Sequence, residues 1–249
     1  MDKSLNKYIS ETGFCSRREA DNYIDQGRVT INDNVAIKGN RVNPGDKVEI
    51  DGEPLKKKDK TVYIAFNKPA GITCTTDLKD KSNIISFIGY KSRIFPIGRL
   101  DKPSEGLIFL TNDGDIVNKI LRAGNNHEKE YIVTVDKPIS NDFVNKMSNG
   151  VRILDTVTKK CFVRQEGKNR FRIILTQGLN RQIRRMCTAL GYEVETLKRV
   201  RIMHITLGNL PIGKWRFFTN DEIKTMEISL AKSIKTADTA LLNENSWNE

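Results

Sequence analysis

In IFPIGRLDKPSEG, residues 94–106, a single acid, Asp101, follows Arg99 and leads into the apolar run LIFLTN. A carboxylate so placed serves either turn chemistry, because Asp before Pro and Gly commonly shapes a turn, or covalent and acid–base work in a site. About thirty residues downstream, HEKEYIVTV sets Tyr131 at the head of a strand-like run directly after charged residues. An aromatic there is either a half-buried strand residue or a platform on which a nucleobase stacks. Farther on, LTQGLNRQIRRMCTALG ends a strand at Gln177-Gly178 and starts a helix near Asn180. That helix carries Arg181, Arg184 and Arg185, with Ile183, Met186, Cys187 and Leu190 as its apolar face. Arg181 and Arg184 are a turn apart and project from one side of the helix start, a positive place suited to a carboxylate or a phosphate. A plain surface contact with RNA is the alternative use of these arginines.

The charge of the chain narrows the partners. Its 249 residues carry a net charge of +11 and a pI near 9.5. Residues 61–230 hold 28 Lys and Arg against 17 Asp and Glu, so the excess lies in the middle of the chain. A field of that sign selects a polyanion, nucleic acid before an anionic membrane face. Four cysteines, at 15, 74, 161 and 187, form no CxxC, and only His127 and His204 could join them around a metal. No metal site and no cofactor is expected, and scattered thiols fit a reducing cytoplasm. No apolar run reaches the roughly 18–20 residues of a membrane span, and the first residues lack a signal-peptide core, so a soluble cytoplasmic protein without membrane partners is expected.

The elements that must hold the chemical residues fall into two groups. Residues 1–50 read as a small module. Leu5, Tyr8 and Ile9 give one short helix ended by Gly13, and Ser16 with Glu19 has the spacing of a capping box for a second helix that stops at Gly27. VTIN, VAI and KVEI then make a small ribbon. The exposed side of the helix pair would present Asn6, Lys7, Arg17 and Arg18 to phosphate oxygens. Residues 51–60, DGEPLKKKDK, read as a polar linker. From 61 to 230 strand-like runs dominate, broken by helical stretches at NIISFIG, DIVNKILRAG, NDFVNKMSNG and NRQIRRMCTALG. Strands that follow strands without a crossover helix imply an α+β domain with a mixed, mostly antiparallel sheet. Residues 231–249 are expected to be a flexible tail. Neither GxGxxG nor GxxxxGK[ST] occurs, which removes the usual nucleotide-cofactor enzymes.

Two resemblances attach to these residues. Residues 5–32 resemble the S4 RNA-binding domain, following its pattern LxKYIxxxGxxSRREAxxxIxxGxVxVN nearly throughout. GRLD with SEGLIFLTNDG, then KEYIV, then GLNRQIRRM are similar, in order and interval, to the three motifs of the pseudouridine synthases of the RsuA/RluB/RluE/RluF type. LRAGNNHEKEYIVTVDKPIS and RVRIMHITLGNLPIGKWRFFT look most like the RluF branch, which acts on large-subunit ribosomal RNA. The resemblance implies an S4 domain ahead of a catalytic domain with a central cleft. It implies isomerisation of a uridine, drawn out of its stack, to pseudouridine without metal or redox cofactor. It casts Asp101 as the catalytic carboxylate, Arg184 as its partner, Tyr131 and Ile183 as the two sides of the base site, and Arg99 as an RNA contact. Arg181 and Arg185 are further RNA-binding candidates. The expected partner is 23S ribosomal RNA or its assembly intermediate, with transfer RNA or small-subunit RNA as the alternative, and the expected state is a monomer.

Two other classes stay open on sequence grounds. An RNA-binding assembly factor would explain the charge and the first sixty residues, but not the Asp, Tyr and Arg set. A glycoside hydrolase would pair Asp101 with Glu105, yet Glu105 follows Pro103 in a turn and the setting is rich in arginine.

Overall fold

The computed structural model describes residues 2–231 and Ser233. It divides into two compact units, Met1–Val62 with Tyr90–Ile94 and Asn112–Gly114, and Tyr63–Gly89 with Phe95–Thr111 and Asp115–Glu249. The expected tail, 231–249, falls outside the described residues except for Ala231 and Ser233.

In the smaller unit the helices Leu5–Glu11 and Arg17–Asp25 pack Leu5, Ile9, Ala20 and Ile24 against Val29, Val48 and Ile50 of a short sheet. The capping box forms as expected: Ser16 Oγ accepts from the Glu19 backbone N–H at 3.2 Å, and the Glu19 carboxylate accepts from the Ser16 N–H at 2.7 Å. That bond to the Ser16 N–H, with the hydroxyl, holds the Glu19 carboxyl below its ordinary pKa. The sheet runs Asn34–Val35, Val29–Ile31, Val48–Ile50, Glu53–Pro54, all antiparallel. Its last strand lies inside the stretch expected to be linker. Asp51 and Gly52 both take positive φ, 53° and 79°, the conformation of a two-residue hairpin turn, and fold Glu53 back onto Ile50.

The larger unit is built on a mixed sheet, nine-stranded among the described residues. Its main path runs Phe162–Gly167, Arg170–Leu175, Lys129–Val135, Val194–Ile202, Glu105–Thr111, Tyr63–Lys68, Trp215–Phe217. Every pairing is antiparallel except one: Val194–Ile202 lies parallel to Glu105–Thr111, with Lys198 opposite Glu105 and Arg199 opposite Gly106. The α+β class with a mostly antiparallel sheet is therefore as expected. One face buries Leu107, Phe109, Ile202, Ile205, Phe218 and Met226. Phe218 lies in the strand-like run WRFFT of the sequence, and Met226 lies beyond it. The helix Asn220–Leu230 starts at a second capping box, Thr219 with Glu222, and closes the core with Met226 and Leu230.

Candidate active site

Asp101 sits in the connection between two paired strands, Phe95–Ile97 and Glu105–Thr111. Four groups fix this short loop. Lys68, fully buried, donates its ammonium to the carbonyls of Pro69 and Ile72 at 2.9 Å and of Lys102 at 3.4 Å. Burial pushes that ammonium below its ordinary pKa, and the ring of carbonyls, with the charges of Asp101 and Glu105 nearby, offsets the cost. The Gly71 N–H donates to the same Lys102 carbonyl at 2.7 Å, and the Ser104 N–H closes the turn on the Asp101 carbonyl at 2.9 Å. The Leu100 N–H points to Cys74 Sγ at 3.4 Å. An aspartate on such a loop is aimed by its backbone before any side chain acts on it.

Beyond Asp101 the chain reaches Gly106, whose φ is +105° and whose added Cβ would stand 2.2 Å from the Arg199 carbonyl oxygen. Only glycine lets the two parallel strands meet at that register.

The helix Gln182–Ala189 approaches Asp101 with its N-terminal end. Buried Gln182 accepts from the Leu179 N–H at 3.0 Å, and Ile183, Met186 and Cys187 supply the buried face. Leu190, expected on that face, is only half-buried at the helix end. Arg181 is the cap residue, in the left-handed region at φ 50°, and its guanidinium comes within 3.6 Å of Asp101 Oδ2. Arg184 Nε lies 3.8 Å from the same oxygen. Both separations exceed a charge-assisted hydrogen bond, so the carboxylate feels two positive charges and keeps its lone pairs for a substrate. Arg184 is tied elsewhere: one terminal nitrogen donates to the Val194 carbonyl at 3.1 Å and the other to Ser104 Oγ at 3.2 Å. Desolvation first, and the neighbouring Arg181 next, lower its pKa.

Asp101, Arg99, Arg181, Arg184, Tyr131 and Ile183 line a single cavity of about 610 Å³. Asp101 is about one-third exposed, Tyr131 and Ile183 are buried, and Arg99 is exposed. The expected set is thus assembled by one unit of the fold. Arg185 is not among the lining residues; it is exposed and turns back to Asn180, donating to its carbonyl at 3.1 Å and its side-chain oxygen at 3.2 Å. Asn6, Lys7, Arg17 and Arg18 belong to the other unit, and two of them depart from the expected free face. Asn6 donates across the helix pair to Asp21 at 2.9 Å, and Lys7 lies 3.6 Å from Glu11, one turn on in its own helix. Arg17 and Arg18 remain exposed.

Sequence reasoning missed Ser104, Lys129 and Arg199. Ser104, 1% exposed, anchors Arg184, and it stood in plain view inside DKPSEG. Lys129 precedes Tyr131 by two and so shares its face of the strand. Arg199, two residues before Arg201 in a strand, carried the signal of a solvent face.

The family profile described as RNA pseudouridylate synthase matches residues 62–189, and that of the S4 domain matches residues 4–48. The chain is 58% identical over 221 residues, 88% of its length and 76% of the relative's, to "Dual-specificity RNA pseudouridine synthase RluF" of Escherichia coli K12. It is 33% identical to "Ribosomal large subunit pseudouridine synthase B" of Bacillus subtilis, covering 89% of this chain and 94% of that one. A solved structure described as "Crystal structure of pseudouridylate synthase" superposes with a TM-score of 0.67 at 28% identity, covering 90% of this chain and 99% of the other.

Proposed function

The chain belongs to the RNA pseudouridylate synthase family, as an RluF-type member with an S4 domain, and is an isomerase; on that premise we propose that Asp101 acts on a uridine of 23S ribosomal RNA drawn out of its stack into the cavity. The observation that carries this reading is the meeting of one carboxylate, two guanidiniums, an aromatic ring and an aliphatic side chain in about 610 Å³. That space admits a nucleotide, and extruding it costs a few kcal/mol that the pocket must return.

In the proposed arrangement Tyr131 takes one face of the uracil ring and Ile183 the other. Arg184 and Arg181 keep Asp101 pointed at the sugar–base junction, while Ser104 and the Val194 carbonyl keep Arg184 itself in place. Arg99, exposed at the rim, meets the RNA backbone where the base has left it. The reaction breaks N1–C1′ and makes C5–C1′; the C5 proton is lost and N1 gains one, so atoms and electrons balance without a co-reactant. The smaller unit adds backbone contacts through Arg17 and Arg18, with large-subunit RNA or its assembly intermediate as the partner, in the cytoplasm and as a monomer.

A second reading differs only in substrate. The Escherichia coli relative is named dual-specificity, which favours a further RNA, of which a transfer RNA anticodon loop is the candidate. Sequencing carbodiimide-dependent reverse-transcription stops in ribosomal and transfer RNA from a deletion strain tests both readings. Loss of a pseudouridine in 23S RNA is expected, and an unchanged map in 23S RNA would remove it as the target.

A further inference from the structure

Tyr131 and Arg199 stand opposite each other on neighbouring antiparallel strands, and the Arg199 guanidinium carbon lies 5.9 Å from the centre of the Tyr131 ring. Lys129 lies on the same face of the Tyr131 strand, and all three residues line the cavity that holds Asp101. Lys129 and Arg199 are 7% and 4% exposed. Lys129 donates to the His127 carbonyl at 3.3 Å, and Arg199 Nε donates to the Leu107 carbonyl at 2.6 Å. Arg199 Nη2 is buried and makes no hydrogen bond. Among the described residues neither cation pairs with a carboxylate.

Two positive charges kept out of water without a counter-ion are a standing cost to the fold, and such a cost is tolerated where negative charge arrives. Desolvation, with the adjacent Arg199 charge, pushes the Lys129 ammonium down to about 8. A phosphate is the wrong anion for this place, since the Tyr131 ring beside the guanidinium fits a flat heterocycle. The reaction itself makes one. When N1–C1′ breaks, the electron pair stays with uracil as an anion spread over N1, O2 and O4. The sugar is balanced by the Asp101 carboxylate, which either bonds C1′ or takes the C2′ proton. The anion is discharged when C5 bonds C1′, as the carboxylate leaves C1′ or returns its proton to C2′; the C5 proton then departs and N1 is protonated.

We propose that Arg199, assisted by Lys129, stabilises the detached uracil anion, holding its charge beside Tyr131 while the ring turns from N1 to C5. This rests on the reading of Asp101 and Tyr131 as the reacting pair.

The test is single-turnover reaction of the full chain with a 23S RNA fragment bearing uridine or 5-fluorouridine at the mapped position. It is read as loss of the N-glycoside from a nuclease digest by mass spectrometry. Fluorine at C5 withdraws electrons and stabilises an anion in the ring, so cleavage leans less on the protein. Arg199→Met should slow the uridine RNA at least 100-fold, with RNA affinity by anisotropy within threefold of the parent. On the fluorinated RNA the defect should shrink at least tenfold, and Lys129→Met should show the same trend with smaller amplitude. Arg199→Lys, which keeps the charge, should fall between, and it carries the comparison alone if circular dichroism shows that the methionine variant is unfolded. Equal defects on both RNAs, or a defect wholly in affinity, would overturn the proposal. Asp101→Asn is run beside these; if it remained active, the reading of Asp101 would fail instead.

Discussion

Arg184 spends its two terminal nitrogens on Val194 and Ser104 and presents Nε, buried and without a hydrogen bond, 3.8 Å from Asp101. The guanidinium is a bracket: two arms fix its plane and the third side faces the acid. A lysine ammonium is a compact point charge without the planar fork that lets one group reach Val194 and Ser104 and still face the acid. Arg184→Lys should therefore lower the single-turnover rate by about 10- to 100-fold, the range set by small misplacements of a reacting group. Ser104→Ala should give a milder loss of the same kind, and the KM for RNA should move little in either variant.

Asp101→Asn removes the charge and keeps the shape. The loop is held through the backbone by Lys68, Gly71 and Ser104, so melting temperature and RNA binding should stay near the parent values. Pseudouridine should not form. Product made at the parent rate would take Asp101 out of the chemistry.

Gly106→Ala tests the parallel seam. A Cβ would meet the Arg199 backbone at 2.2 Å, and backbone there cannot swing aside. Chemical denaturation should show a loss of about 3–5 kcal/mol or an insoluble protein, in the range kept for overpacking and strained φ.

Lys129 gives a stability prediction with a definite sign. Its folded pKa of about 8 lies below that of an unfolded lysine, so between pH 8 and about 10.5 the unfolded chain binds more protons. Its contribution to stability should therefore rise with pH across that window and be least favourable below 8. Lys129→Met should be more stable than the parent at pH 7, by at most about 3 kcal/mol, and the difference should shrink towards pH 10. A variant that gains stability while losing rate is the pattern of a residue kept for function.

RNA affinity should fall steeply between about 50 and 200 mM salt, because backbone contacts release counterions. Arg17→Ala with Arg18→Ala should flatten the slope by about one to two ion equivalents. Asn6→Ala should leave it unchanged, because that amide is spent on Asp21.

Much of this was legible from residue order. Apolar runs and the Ser16–Glu19 cap located the strands and helices, while Asp101, Tyr131 and Arg184, each ambiguous by type and spacing, came together as one site only through the resemblance of their segments to pseudouridine synthase motifs. Two elements were overlooked despite plain signals. The Asp51-Gly52 turn was masked by the lysines after it, and the Thr219–Glu222 cap by the strand before it. Arg199 was illegible for a stricter reason. In a regular strand Arg199 and Arg201 point the same way, and a pair of arginines at that spacing reads as a solvent face. A register shift between Glu130 and Tyr131 sets Arg201 opposite Glu130 and Arg199 opposite Tyr131. Arg201 bonds the Glu130 carboxylate at 2.5 Å, while Arg199 enters the cavity. Irregular pairing of this kind belongs to two strands together and is not written in either one.

The parallel strand pairing, Glu105 with Lys198 and Gly106 with Arg199, joins positions more than ninety residues apart. Closing so long a loop is among the slow steps of folding, and antiparallel neighbours on either side can pair without it. The acid loop and the buried guanidinium come into register only when it closes. During synthesis the catalytic face cannot exist until residues near 200 have left the ribosome. A chain stalled earlier would carry a folded RNA-binding module and no means of altering what it holds.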